Sequence, residues 1–279
     1  MNFKTLLAAA AVSMIAGGAV AQTAEWRTVS PENLWVIDTA KGRVLVELEP
    51  RAAPSHIERI RTLTQQGFYD GLKFHRVIPN FMAQTGDPKG TGEGGSELPD
   101  LKGEFSFRRG RDSGFVAVEN SGPGVRGIMG SLPITTQPDA QMFVTADFKV
   151  GASGLFCPGV AGMARAGSPD SANSQFFLMT GQNDNLNGGY TTFGRVVQGL
   201  DVVKALKAGD DAEDGKVADP DVMTKVQLAS ALPEGQRPTV RVAAPGSPAF
   251  NAAVEAARTA RGAQFGICDV QPVVEVTGG

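Results

Sequence analysis

The chain has 279 residues, with 26 Lys and Arg against 29 Asp and Glu and a formal net charge of −3. No Lys/Arg stripe stands out, and "RRGR" at 108–111 is too short to make one, so nucleic acid is excluded as the expected partner. The 35 Gly and 17 Pro point to many turns and a β-rich body, while two His with two Cys give no zinc spacing, so neither a metal nor another cofactor is expected.

The N-terminus reads "MNFKTLLAAAAVSMIAGGAVAQTAEW": one Lys, an apolar run over 6–15, then Ala19-Val20-Ala21. That is the layout of a secretory signal peptide covering residues 1–21. The run is shorter than the about 20 residues a bilayer-spanning helix needs, a retained anchor being the alternative. The expected location is therefore periplasmic or secreted. "NLWVIDT" (33–39) and "GRVLVELEP" (42–50) alternate as two strands around a turn at Thr39–Gly42. Pro54 opens a helix over 54–66, with Ile57, Ile60 and Leu63 on one face and Gly67 as its stop. "GLKFHRVI" (71–78) and "NFMAQTG" (80–86) read as two more strands broken at Pro79.

Residues 87–103 form a Gly-rich loop. Gly90, Gly92 and Gly95 match G-x-G-x-x-G by spacing, but acidic residues and Pro99 follow where a dinucleotide site needs a helix. Short strands are expected at 114–119, 127–134, 140–147 and 154–159, then at 159–166, 174–181 and 191–199. A helix over 200–209 and a strand over 221–230 follow. "DDAEDG" (210–215) lacks an oxygen ligand at its third position, which leaves a solvated acidic turn rather than a calcium loop. Beyond Leu232 come a Pro-rich stretch, an Ala-rich helix candidate over 249–266 and a C-terminal strand candidate over 270–276. Cys157 and Cys268, even in number in an exported chain, can pair across a long loop, the alternative being two buried free thiols.

Two blocks carry the chemistry. The first is "GFYDGLKFHRVIPNFMAQTGDPKGTGEGG" (67–95), whose centre (74–87) holds one Arg, two Phe, one Met and one Gln but no nucleophile. The second is "GMARAGSPDSANSQFFLMTGQNDNLNGGYTTFGRVVQGLDVV" (162–203). Together they resemble the cyclophilin-type peptidyl-prolyl cis–trans isomerases over roughly 33–107 and 158–230. The resemblance implies a mainly β fold: a closed barrel of eight antiparallel strands with a helix over each end. It gives an isomerase domain over 33–230. An insertion at about 108–156 and a C-terminal extension over 231–279 are additions to the family pattern, expected to pack together through Cys157 and Cys268. It implies Arg76 and Gln84 as catalytic residues. Phe81, Met82, Ala164, Ala166, Gln175, Phe177 and Leu186 match substrate-groove positions. Tyr190 stands where many members have His. Asn185 stands where several eukaryotic members have a Trp that helps bind cyclosporin, so weaker binding of that drug is implied.

These residue types suit rotation about X–Pro, which needs neither proton transfer nor a covalent intermediate. Amide resonance sets a barrier of about 20 kcal/mol. Twisting the C–N bond gives the proline nitrogen back its lone pair, to which a fixed, always-charged guanidinium can donate. Apolar side chains can grip the ring. Gln84, two residues from Met82, shares its face and can orient Arg76. His75, alternating with Arg76, is expected to be structural, and Asp87 to cap a turn. The expected substrates are proline-containing segments of unfolded or partly folded exported proteins. The alternative is a non-catalytic peptide-binding module or chaperone using the same groove.

Overall fold

The computed structural model describes residues 25–122 and 124–279; the signal-peptide expectation for 1–21 lies outside them. In chain order the strands are β1 (Trp26–Thr28), β2 (Leu34–Thr39), β3 (Gly42–Leu48), β4 (Arg76–Ile78), β5 (Met82–Thr85) and β6 (Phe107–Arg109). Next come β7 (Val116–Ser121), β8 (Gly124–Met129), β9 (Leu132–Thr136), β10 (Val150–Gly154), β11 (Val160–Met163) and β12 (Phe176–Met179). Last are β13 (Thr192–Gln198), β14 (Met223–Leu228), β15 (Thr239–Ala243) and β16 (Val274–Thr277). The helices are α1 (Pro54–Gln65), α2 (Leu200–Lys204) and α3 (Pro248–Arg261).

Eight strands make one antiparallel sheet in the order β14-β2-β3-β13-β11-β12-β5-β4, curled into a half-barrel. Its concave side buries Trp35, Val46, Phe74, Phe176, Leu178 and Phe193 with α1 across one end. Trp35 is fully buried, and its indole N–H is satisfied by Thr64 Oγ1 of α1 at 2.9 Å. At the other end of that helix the Glu104 carboxylate accepts the N–H groups of Ser55 and His56, each at 3.1 Å, supplying the cap that Ala53 cannot.

The expected closed barrel is not reached by strand pairing. Among the described residues β14 and β4 do not pair with each other; isolated bridges Lys73–Val222 and Arg76–Lys216 and loop hydrogen bonds lie between them. Gly71 and Gly215 take φ of 76° and 79°, and Pro220 has no N–H to give, so neither edge carries a regular ladder to the other. The second capping helix is also shorter than expected. It stops at Lys204, and the Lys207 N–H bonds the Asp221 carboxylate at 2.7 Å.

The insertion folds into a five-stranded antiparallel sheet, β6-β10-β9-β8-β7. The single strand expected at 127–134 is two, β8 and β9, turning at Gly130 and Ser131. Residues 140–147 are not a strand but a 3-10 turn over Asp139–Val144. The apolar residues there are adjacent rather than alternating, so only Met142 is buried, while Phe143 and Val144 stay 66% and 86% exposed. Of the strand expected at 154–159 only Gly154 lies in a strand, as the end of β10, and residues 155–159 connect β10 to β11.

The extension supplies α3, whose N-terminus is capped by Ser247 Oγ, and the strands β15 and β16. These pair with β1 in a third sheet, β1-β15-β16, that covers Leu34, Val36 and Leu45 on the convex side of the half-barrel. Cys157, at the end of the insertion, and Cys268, in the extension, form a disulfide with Cα atoms 4.8 Å apart. The buried Arg195 guanidinium joins the three parts by donating to Ser131 O, Pro158 O and Val270 O.

Candidate active site

Strand register assembles the site. Arg76 of β4 stands opposite Gln84 of β5, Gln84 opposite Phe177 of β12, and Phe177 opposite Gly162 of β11. Directly opposed residues share a face, so these four form one row across four strands. The rung Ile78–Met82–Met179 lies two residues along on the same, convex face. The intervening row, Val77–Ala83–Leu178–Ala161, points into the barrel core. Period-two alternation thus sends one half of "RVIPNFMAQ" to the core and the other half to the groove.

The Arg76 guanidinium is held from two sides. Its Nη1 donates to Gln84 Oε1 at 3.3 Å and approaches Met82 Sδ at 3.9 Å. Its Nε donates to Asp214 O and its Nη2 to Asp214 Oδ1, both at 2.9 Å. Of five N–H donors, one on each terminal nitrogen is left without an oxygen acceptor. The Gln84 amide is fixed in turn: Nε2 donates to Gln175 Oε1 at 2.9 Å, and Gln175 Nε2 donates to Gly92 O and Gly94 O at 2.9 and 2.7 Å. Those carbonyls belong to the Gly-rich loop, whose shape Asp87 sets by accepting the N–H groups of Lys89, Thr91 and Gly92. Burial works to raise the Asp87 carboxyl, but the backbone donors of Lys89, Gly94, Thr91 and Gly92 outweigh it and bring it down to about 2. Asp87 is thus the turn cap that its position suggested.

A pocket of about 140 Å³ opens beside Arg76. Phe81, Met82, Phe177, Leu186 and Tyr190 wall it with Ala164 and Gln84, so eight of the expected site residues, Arg76 included, line one cavity. Ala166 and Gln175 line a larger neighbouring pocket of about 530 Å³, and Gln84, Ala164 and Arg165 border both. Phe177 is 5% exposed and braced by Phe156 at 5.6 Å and Tyr190 at 6.1 Å between ring centroids. Phe177 folds over Gly162, where a Cβ would sit 2.7 Å from its Cζ. His75, buried on the opposite side of the strand from Arg76, has its pKa lowered chiefly by burial, which keeps the ring neutral.

Three contributors are not evident from the sequence. Arg165 lies between two groove residues, where alternation would send it away; β11 ends at Met163, and its guanidinium turns back to sit 4.4 Å from the Tyr190 ring centre, with Nε on Gly189 O. Phe156 reaches the site from the end of the insertion. Asp214 belongs to the acidic turn expected to be merely solvated, yet it bonds Arg76. Among the described residues no group of three His, Cys, Asp or Glu side chains is placed to hold a metal.

This arrangement of a fixed guanidinium, a glutamine and a pocket with an aromatic and aliphatic wall accompanies a match to the family model for "Cyclophilin type peptidyl-prolyl cis-trans isomerase/CLD" over residues 34–228. The chain belongs to the cyclophilin-type prolyl isomerases. It is similar to a probable peptidyl-prolyl cis–trans isomerase of Brucella suis, 37% identical over 240 residues that span 82% of this chain and 97% of the relative. It is also similar to the peptidyl-prolyl cis–trans isomerase ppi1 of Schizosaccharomyces pombe, 32% identical over 170 residues, 61% of this chain and 82% of that one. The crystal structure of the cyclophilin AquaCyp293 from Hirschia baltica superposes with a TM-score of 0.81 at 33% identity, covering 91% of this chain and 94% of the other. That span takes in far more than the barrel, so the additions belong to a shape shared by that cyclophilin and this chain. Its two departures from the family pattern differ in place: Tyr190 is part of the pocket wall, whereas Asn185 is exposed in the turn Asp184–Leu186.

Proposed function

We propose that the pocket beside Arg76 receives the pyrrolidine ring of an X–Pro segment, gripped by Phe81, Met82, Phe177 and Leu186, while Arg76 acts on the rotating amide. Ala164, Ala166, Gln175 and Tyr190 would then flank the peptide on either side of the ring. As the C–N bond twists, the proline nitrogen becomes a better acceptor, and a free N–H of the guanidinium meets it. The interaction is stronger in the twisted state than in the planar one, so it lowers the barrier rather than only tightening binding. A bound ring that displaces water from the Phe81, Met82, Phe177 and Leu186 side strengthens it further. Gln84 acts through Arg76 by holding its Nη1. A 10⁵-fold acceleration requires about 7 kcal/mol, a range that one preorganised charge and a fitted pocket can cover.

The substrates in this reading are proline-containing stretches of polypeptides not yet folded after export, with residues 1–21 as the signal that routes the chain to the periplasm or the outside. The insertion and extension pack on the half-barrel as a disulfide-pinned unit. The supporting observation is the two-sided hold on Arg76 at the mouth of a pocket of about 140 Å³ walled on one side by Phe81, Met82, Phe177 and Leu186. The test is catalysed cis–trans exchange of a short X–Pro peptide. Arg76→Ala should lower kcat/KM by about 10²-fold or more with little change in melting temperature; a variant within threefold of the wild type would remove Arg76 from the mechanism.

A further inference from the structure

The hydrogen bonds of the acidic turn assign it a role in the reaction. The turn 209–216 is clamped to the edge of β4: Val77 N–H donates to Gly215 O at 2.8 Å, and Gly209 N–H to Val77 O at 2.9 Å. It is closed internally by Gly215 N–H and Glu213 N–H on Asp210 O, and by Ala212 N–H on Asp210 Oδ1. This frame holds Asp214 at φ 53°, a left-handed conformation that Asp tolerates better than most side chains. There its carbonyl and its carboxylate both face Arg76. Two acceptors from one residue, on Nε and Nη2, fix the guanidinium along that edge, while Gln84 fixes Nη1 on the opposite side.

We infer that Asp214 is a positioning residue for isomerisation, and that its charge sets which peptides the site favours. The inference rests on Arg76 being the reacting guanidinium. Without the carboxylate, Nη2 loses its oxygen acceptor and the guanidinium can swing about the remaining contacts, so the chemical step suffers more than binding. The Asp214 side chain is 80% exposed, so its charge also acts on solvent-borne peptide. Paired, Arg76 and Asp214 cancel each other at the mouth, where Arg165 also stands; with Asp214 neutralised, the mouth gains one unit of positive charge and an acidic residue beside the X–Pro unit gains.

The experiment uses the full chain with Asp214→Gly and Asp214→Asn, Gly being chosen because it adopts positive φ without strain. Two peptides are compared, one with Lys and one with Glu next to the X–Pro unit. Asp214→Gly should lower kcat about three- to tenfold with KM for an uncharged peptide within twofold of the wild type. Asp214→Asn keeps the carbonyl and a neutral acceptor, and should recover kcat to within about twofold. Both variants should raise the Glu-to-Lys ratio of kcat/KM about two- to fivefold at low salt, an effect that fades near 0.5 M salt, where screening shortens to a few ångström. A kcat for Asp214→Gly within twofold of the wild type, or a Glu-to-Lys ratio that does not move, overturns the inference. Arg76→Ala run alongside separates the two levels: if it is fully active the site reading itself fails, whereas an inactive Arg76→Ala with wild-type-like Asp214 variants sinks only the role of Asp214.

Discussion

Gly162→Ala tests whether the aromatic wall is set to the precision that catalysis needs. A methyl built on Gly162 would lie 2.5 Å from Phe156 Cε1, and 2.7 and 2.9 Å from Phe177 Cζ and Cε2. Carbon atoms pack best at about 3.5–4.0 Å, so the rings must retreat by about 1 Å. Phe156 is fully buried and cannot yield freely, which drives Phe177 toward the pocket of about 140 Å³ that it walls. Overpacking of this kind costs about 1–3 kcal/mol of stability. A displacement of about 1 Å in a positioning group can cost up to about 10²-fold in rate. The expected result is a folded variant whose kcat/KM falls about 10- to 100-fold, read by the peptide exchange assay beside a thermal melt. If the melt shifts down but kcat/KM stays within threefold, the ring does not need to sit where it sits, and the account of Phe177 as a fitted wall is wrong.

Reducing the disulfide, or replacing both Cys157 and Cys268 by Ser, should lower stability by at most about 4–5 kcal/mol, the chain-entropy value for a crosslink spanning 111 residues; equal melting temperatures with and without reductant would deny it any such constraint. Asp87 supplies a pH dependence with a definite sign. Its folded pKa of about 2 lies below the ordinary aspartate value of 3.8, so its contribution is present above about pH 4 and is lost as pH falls through about 2. The lost stability is about 2 kcal/mol at most, and Asp87→Asn should flatten that part of a denaturation series between pH 5 and pH 2; an unchanged slope in the variant would show that the backbone donors do not hold the carboxylate as drawn.

The strands of the half-barrel, helix α1 and the groove side chains of β4, β5 and β12 were legible in the sequence because the signals involved are local. Alternation within 76–84 separates core from groove, and Pro54 and Gly67 bracket α1. The resemblance added expected roles for Arg76, Phe81 and Phe177, and the structure bears on their placement alone. Local signals failed where polypeptide leaves regular structure. Arg165 lies just past the end of β11 and escapes alternation, and 140–147 has apolar residues side by side that no strand could bury together. Strand β15 was hidden in a Pro-rich stretch because its partner β1 lies over 200 positions earlier. The one-sided burial of the convex sheet face, which brings β1 together with β15 and β16 over Leu34, Val36 and Leu45, is a matter of surfaces and not of sequence neighbours. Composition, turns and alternation, read with the family signature, therefore determine that this chain builds a curled β sheet bearing a guanidinium beside an apolar row. Only the tertiary fold decides that an acidic turn more than 100 positions away grips that guanidinium, because the grip comes from backbone bonds to the β4 edge that no local pattern records.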